Sequence, residues 1–400
     1  MRRIQPIAAA VLFVSIACPG IGAAQSAPSS SSSTGVSYWT VRPDVAEMGS
    51  TTPLSRVEVA PEAAQPAGEG QRKSHEWLIA PLPMINPTLE NGLALVAGLL
   101  YPIGTSPASA SLLAGFRTSN DSWMAGAVQT LHLKDDRYRV IAAGAYFDVN
   151  FDFFGIGADA GDQGVSVLLN QTGSGGLGEL LVHAGARWYI GARYRISKTT
   201  IGGDFSQPAV PIPAGDVQLR TGVLGPRLQR DTRDNQFYPR AGTLFDLTAG
   251  FAGKDVGGRR SYHIYQAAFS TYSSLTPRQV VATKINSCGA TGDVPFYDLC
   301  LLGQFQDLRG YPSGQYRDRG LLTAQAEYRV EVWRWVGLAA FAGTGEVVPS
   351  FKQLAFDALL PSGGGGLRFR LTKQTHVNLR VDYAWGKKSQ ALYVSVAEAF

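Results

Sequence analysis

From Trp77 onward the chain repeats one pattern: short runs in which every second residue is apolar and the residues between are charged or polar. In 376–385, Val377, Leu379, Val381, Tyr383 and Trp385 share one parity, while Asn378, Arg380 and Asp382 take the other. In 321–332, Leu322, Ala324, Ala326, Tyr328, Val330 and Val332 oppose Thr323, Gln325, Glu327, Arg329 and Glu331. Leu367, Phe369 and Leu371 oppose Arg368 and Arg370 in the same way. Side chains of an extended strand alternate between its two faces, so each run predicts a strand that is apolar on one side and charged on the other. No window reaches the roughly 20 apolar residues that a membrane helix needs.

A soluble β-sandwich also alternates. Two features favour a membrane barrel over it. The apolar faces carry Tyr and Trp near strand ends, as interfacial girdles do, and the polar faces carry opposite charges that can pair. Composition agrees: 17% of residues are charged and mean hydropathy is −0.03, where soluble domains carry about 25% charge. Sixteen runs qualify as strands: 77–86, 91–101, 109–118, 122–133, 138–150, 178–187, 188–199, 217–230, 242–252, 260–273, 278–287, 319–331, 335–343, 362–371, 376–385 and 390–400. Parity slips within 162–187 and 217–230, so the alternation by itself sets no single register there. If the first strand runs outward, the inner turns are short (102–108, 133–137, 274–277, 372–375) and the outer connections long (151–177, 200–216, 288–318, 344–361). That asymmetry is expected of an outer-membrane barrel. The fold class is therefore all-β, a transmembrane antiparallel barrel of about sixteen strands.

The region before the strands has another character. Arg2 and Arg3, the apolar run 7–17 and the small residues Gly22, Ala23 and Ala24 form the layout of a cleaved secretory signal over 1–24. Cys18 lacks the lipobox context of a lipoprotein, since Ser15 stands where a branched apolar residue belongs. Residues 25–76 are rich in Ser, Pro, Ala and Gly and predict a disordered tail or linker, leaving 77–400 as the barrel. The formal charge of +5 includes Arg2 and Arg3 of the leader and is too small to imply nucleic acid. Past the leader, Cys288 and Cys300 are the two cysteines. In an exported chain they read either as a disulfide closing the long loop or as two free thiols.

Several motifs resemble those of the BamA/TamA family of outer-membrane assembly factors, also called the bacterial surface antigen family. Arg309-Gly310-Tyr311 lies in the long loop, followed by the strand Leu322–Arg329. Asp152-Phe-Phe-Gly-Ile-Gly157 is similar to the family's Phe-x-Gly-Ile-Gly segment, and Asp231-Thr-Arg-Asp-Asn-Gln-Phe-Tyr-Pro239 to its Asp-x-Arg-Asp turn. Gly364–Phe369 and Leu379–Tyr383 resemble its final strand pair, and Phe400 its C-terminal aromatic barrel signal. The resemblance covers about 77–400 and implies that the loop enters the lumen, with Arg309 bonded to acids on the wall. Glu327 and Asp382 are the proposed partners. An Asp of the family's Phe-x-Asp-x-Gly motif is replaced by Gly343 in Phe341-Ala-Gly-Thr-Gly345. The alternative reading makes Arg309 a solvated loop charge. The family's periplasmic POTRA domains have no counterpart in the fifty-odd residues before the strands.

Pro81 and Pro83 are two residues apart, so their missing donors fall on one neighbour. They mark either a weak seam with the last strand, which would open a lateral gate, or an extended lead-in segment. Enzymatic signals are sparse. His75, His132, His183, His263 and His376 lack metal spacing, Ser261 and His263 lack a third partner, and Gly173–Gly178 lacks a phosphate-binding Lys. The expectation is a non-enzymatic protein without metal or cofactor in the outer membrane of a Gram-negative bacterium. Its partners would be the lipid bilayer, unfolded outer-membrane proteins or a separate periplasmic subunit. It would assist insertion or translocation of proteins or lipids; the alternatives are a passive pore or a structural surface-antigen barrel.

Overall fold

The computed structural model describes residues 76–400 except 87–89, 107, 204–216, 236–237, 304–306, 357, 371–375, 377 and 397. The predicted signal (1–24), nearly all of the linker (25–76), His75, the turn 372–375 and most of 200–216 therefore lie outside the described residues. The alternating runs form β1 (Glu76–Asn86), β2 (Glu90–Pro102), β3 (Ala108–Thr118), β4 (Trp123–Leu133), β5 (Tyr138–Phe153) and β6 (Val167–His183). They continue as β7 (Trp188–Gly203), β8 (Gln218–Asp231), β9 (Gly242–Ala252), β10 (Tyr262–Thr276) and β11 (Gln279–Gly292). Two short strands, β12 (Cys300–Leu301) and β13 (Arg317–Asp318), pair with each other inside the following loop. The wall resumes with β14 (Gly320–Glu331), β15 (Val336–Val348), β16 (Leu360–Arg370), β17 (Asn378–Gly386) and β18 (Ser389–Val396).

The wall is one antiparallel sheet of sixteen strands in chain order, every strand paired with its sequence neighbours. Short hairpins make that order the cheapest way to close a sheet in lipid, where no backbone group finds water. No described helix is long and apolar enough to cross a membrane. Parity decides which side is which. Thr323, Gln325, Glu327 and Arg329 are buried inward, and Ala324, Ala326 and Tyr328 face out. Aromatics mark the outward band near its edges: Trp123 stacks on Tyr146 at 5.3 Å, Tyr383 meets Trp385 edge-on at 4.7 Å, and Trp333 and Trp335 are exposed in the β14–β15 turn.

The structure corrects the expectation in three places. The sixth strand begins at Val167 rather than 178, because the glycine-rich 173–178 pairs along β5 instead of looping out. The parity slip in β8 has a local cause: Gly222 is an outward position covered by the backbone of Val256. The last strand ends at Val396, and Phe400 is not part of it. Phe400 turns into the lumen and packs against Tyr272 and Ala282.

Candidate functional site: a loop locked inside the lumen

The connection from β11 to β14 does not extend away from the barrel. It folds back into the lumen, and Phe296, Tyr297, Leu299, Leu302, Leu308, Tyr311 and Tyr316 are buried there among inward residues of β5–β11. Part of its hold is covalent. Cys288 and Cys300 form a disulfide with Cα atoms 5.7 Å apart. Cys288 lies in β11 rather than in the loop, so the bond ties loop to wall instead of closing the loop on itself. Asp152–Gly157 contributes as well. Phe153 meets Phe296 at 4.7 Å, the Arg317 guanidinium lies 4.9 Å from the Phe153 ring centre, and the Gly157 amide donates to the Arg317 carbonyl at 2.8 Å.

Arg309 sits at the far tip, fully buried. Its Nη1 donates to Asp382 Oδ2 at 2.6 Å, and its Nε to Gln325 Oε1 at 2.7 Å. Its Nη2 lies 2.6 Å from Glu327 Oε2, an ion contact off the hydrogen-bond direction. Beneath the guanidinium plane is Phe341, 3.4 Å from carbon to ring centre. A guanidinium taken from water is tolerable only with such partners, and its planar fork spans two carboxylates where an ammonium could not.

These partners belong to a larger array. Glu327 also binds Arg329 Nε at 2.5 Å and lies 3.4 Å from Arg368. Arg368 donates to Asp382 at 2.5 Å and to Glu398 at 2.6 Å. Arg380 lies 3.5 Å from Asp382 and donates to Ser395. Arg329 also donates to the main-chain oxygen of Phe400 at 2.7 Å, and the Phe400 ring faces the array. β14 and β17 each carry an acid beside an arginine and β16 adds Arg368, so each acid answers more than one cation.

Gly310 and Tyr311 fix the tip against the last strands. The Gly310 amide donates to Tyr393 Oη at 2.8 Å, and its carbonyl accepts from Ser389 Oγ at 2.6 Å; both partners are on β18. A Cβ at Gly310 would stand 2.7 Å from the Trp385 backbone, and φ is +104°, so only glycine fits. Tyr311 Oη donates to the Pro361 carbonyl at 2.5 Å and accepts from the Lys387 amide at 2.8 Å. Ser362 Oγ donates to the Arg309 carbonyl. Gly343 lines the same contact. A Cβ there would meet Leu308 Cδ1 at 2.9 Å, so the loop's own leucine occupies the room an acid would need.

Sequence reasoning missed a second anchor. Asp298, in the 3-10 turn Phe296–Asp298, accepts two bonds from Arg195 of β7 (3.1 and 2.6 Å) and one from Tyr262 of β10. Arg195 has inward parity, which was legible, but nothing in the sequence pairs it with a loop acid 103 residues away. A further tie comes from the helical turn α1 (Ala158–Gln163): Asp162 bonds Tyr316 Oη at 3.0 Å and Lys387 Nζ at 2.7 Å. Burial alone would raise the Asp162 carboxyl, yet these two partners hold it below its ordinary value.

Pro81 and Pro83 both lie in β1, registered with Leu95 and Leu93 of β2. β1 and β18 are the two ends of the sheet order, and no strand pair joins them among the described residues. No group of metal-ligating side chains occurs among the described residues.

Comparison with known proteins agrees with this architecture. The Omp85 superfamily domain matches residues 132–400. A stretch of 129 residues is 27% identical to the outer membrane protein assembly factor BamA of Nitratidesulfovibrio vulgaris (strain Hildenborough), covering 31% of this chain and 16% of that protein. The match thus spans under a fifth of the relative's length. BamA from Haemophilus ducreyi lacking POTRA domains 1-3 is similar in fold, with a TM-score of 0.53, 15% identity and coverage of 82% of this chain and 70% of that one. CdiB from Escherichia coli is similar at a TM-score of 0.51 and 12% identity, covering 76% and 59%. With sixteen antiparallel strands, a lumenal loop and a family match over two thirds of its length, the chain belongs to the Omp85 superfamily of outer-membrane β-barrels.

Proposed function

We propose that this barrel assists the insertion or translocation of polypeptides at the outer membrane. In this reading the β11–β14 loop braces the lumen and the β1–β18 seam yields toward lipid. The carrying observation is an asymmetry around β18. Its inner face is bonded to the loop through Ser389 and Tyr393 on Gly310, while among the described residues no hydrogen-bonded pair joins it to β1. A strand edge with free backbone groups templates another strand, and β-augmentation is how an unfolded barrel strand would enter. Unfolded outer-membrane proteins are the proposed clients, with a separate periplasmic subunit as the means of delivering them. No catalytic chemistry is required. The relative from N. vulgaris, named as an assembly factor, supports the same reading.

The rival passive pore needs only a charged lumen, which this barrel has, but the loop fills that lumen with buried aromatic side chains. The deciding experiment follows an unfolded outer-membrane barrel folding into liposomes with and without the purified protein, alongside Arg309→Ala. Acceleration that falls in the variant supports the assembly role. No acceleration, combined with steady ion conductance through the wild type, overturns it in favour of the pore.

A further inference from the structure

Outside the lumen, one stretch of the exterior departs from the apolar pattern. Ile190 and Ala192 are exposed on the outward face of β7, and Tyr194 and Ile196 share their parity; Leu224 and Pro226 are exposed on β8. Directly beyond this band on the long-loop side, Lys198 of β7 and Arg220 of β8 stand opposite each other in register, both exposed. Like charges directly opposite across a strand pair destabilise it. The row extends to a third cation. After β9 the chain makes a 3-10 turn, Lys254–Val256, which lies over the outside of β8 at Gly222. Tyr194 Oη donates to the Val256 carbonyl at 3.0 Å, and the Arg259 amide donates to the Arg220 carbonyl at 2.9 Å. A Cβ on Gly257 would lie 3.8 Å from Arg220 Nη2, so the guanidinium rests over this ledge.

Lys198, Arg220 and exposed Arg259 therefore lie side by side on neighbouring segments, with Lys254 and Asp255 at the ledge's edge. None of the three cations forms an ion pair among the described residues. Arg117 is also an exposed strand cation, but it is answered by Asp121 at 3.5 Å. Three cations with no ion pair among the described residues, at the upper margin of a lipid-facing band, call for an anion, and the apolar band beneath them calls for hydrocarbon. One molecule with both is a membrane lipid.

We infer that the Lys198–Arg220–Arg259 row binds the phosphate headgroup of a lipid in the outer leaflet, whose acyl chains lie along Ala192, Leu224 and Pro226. The inference concerns the exterior and does not depend on the assembly role. It is tested on the purified full chain in detergent micelles by native mass spectrometry, titrating bis-phosphorylated lipid A. Lys198→Gln with Arg220→Gln is expected to weaken binding about thirtyfold, the effect of two charges near a membrane surface. Lys198→Arg with Arg220→Lys keeps wild-type binding, which separates lost charge from lost fold, and Arg117→Gln also leaves it unchanged. Removing the phosphates from the lipid weakens wild-type binding as the double Gln variant does. Equal binding by the double Gln variant, or by the dephosphorylated lipid, overturns the inference. Displacement of the lipid by an equal concentration of inorganic phosphate also overturns it, because the acyl chains would then contribute nothing.

Discussion

At the scale of single residues, Arg309 governs the lock. Removing it takes one of the two cations that Glu327 and Asp382 share, leaving Arg368 between them and an unfilled space where the loop tip was held. Arg309→Ala is therefore expected to destabilise the folded barrel by about 3–5 kcal/mol, the cost of breaking a buried ion pair. Arg309→Lys falls between, since an ammonium cannot reach Glu327, Asp382 and Gln325 at once. The midpoint of urea unfolding in detergent measures both, and an unchanged midpoint in the alanine variant would show the array to be redundant. Asp307 gives the loop a pH dependence. Burial raises its carboxyl to about 7 against the pull of Lys284 and of the Gly303 and Leu308 amides, which bond it at 2.9 Å. A carboxyl raised above its unfolded value stabilises the docked loop fully below about pH 4 and loses that contribution as pH climbs through 7. Hydrogen exchange of 307–311 should accelerate over that interval in the wild type. Asp307→Asn should flatten the profile.

At the scale of elements, the loop is a strut held at both ends. Asp298 grips β7 and β10 on one side of the lumen, Arg309 grips β14 and β17 on the other, and the disulfide pins the chain to β11 near the first grip. Because the two grips share no residue, their stability costs should be close to additive, while the loop leaves the lumen only when both are lost. Asp298→Asn or Arg309→Ala alone is expected to leave conductance in planar bilayers near zero. Together they should open a measurable pore, increased further when the disulfide is reduced. Full conductance from either single change would mean that one grip does all the holding. Sequence reading found one end of this strut and not the other. Arg309, Glu327 and Asp382 were legible as a charged loop tip and inward-parity acids, and the structure brings these three together. Asp298 and Arg195 carry no local pattern, because only barrel curvature and loop path bring them within bonding distance.

At the scale of the whole molecule, the proposed opening lies at the β1–β18 seam, the two ends of the sheet order. β18 is fastened inward to the loop, while β1 carries two prolines that cannot donate to a ladder. Replacing Pro81 and Pro83 with valine restores two N–H groups and suits a strand. The double variant is expected to resist thermal unfolding better, by a few degrees in heat-modifiable gel mobility, and to accelerate client folding less than wild type. A variant that is more stable and equally active would exclude opening at this seam as the slow step.

The sequence by itself determined the strands, their order and which face of each meets lipid. Those follow from a period of two and from short turns, both local properties of the chain, and sixteen runs became sixteen wall strands. It also exposed where that logic weakens: glycine-rich 173–178 has no side chains to show a parity, and Gly222 hides its own under Val256. Only the tertiary structure decided what fills the lumen. Phe400 leaves the strand register to join the arginine array, Cys288 binds the loop from the wall, Leu308 takes the space beside Gly343, and Asp298 reaches β7. Each of these pairs residues far apart in sequence. Such contacts are set by the curvature of the wall and the path of the loop, which no stretch of sequence encodes alone.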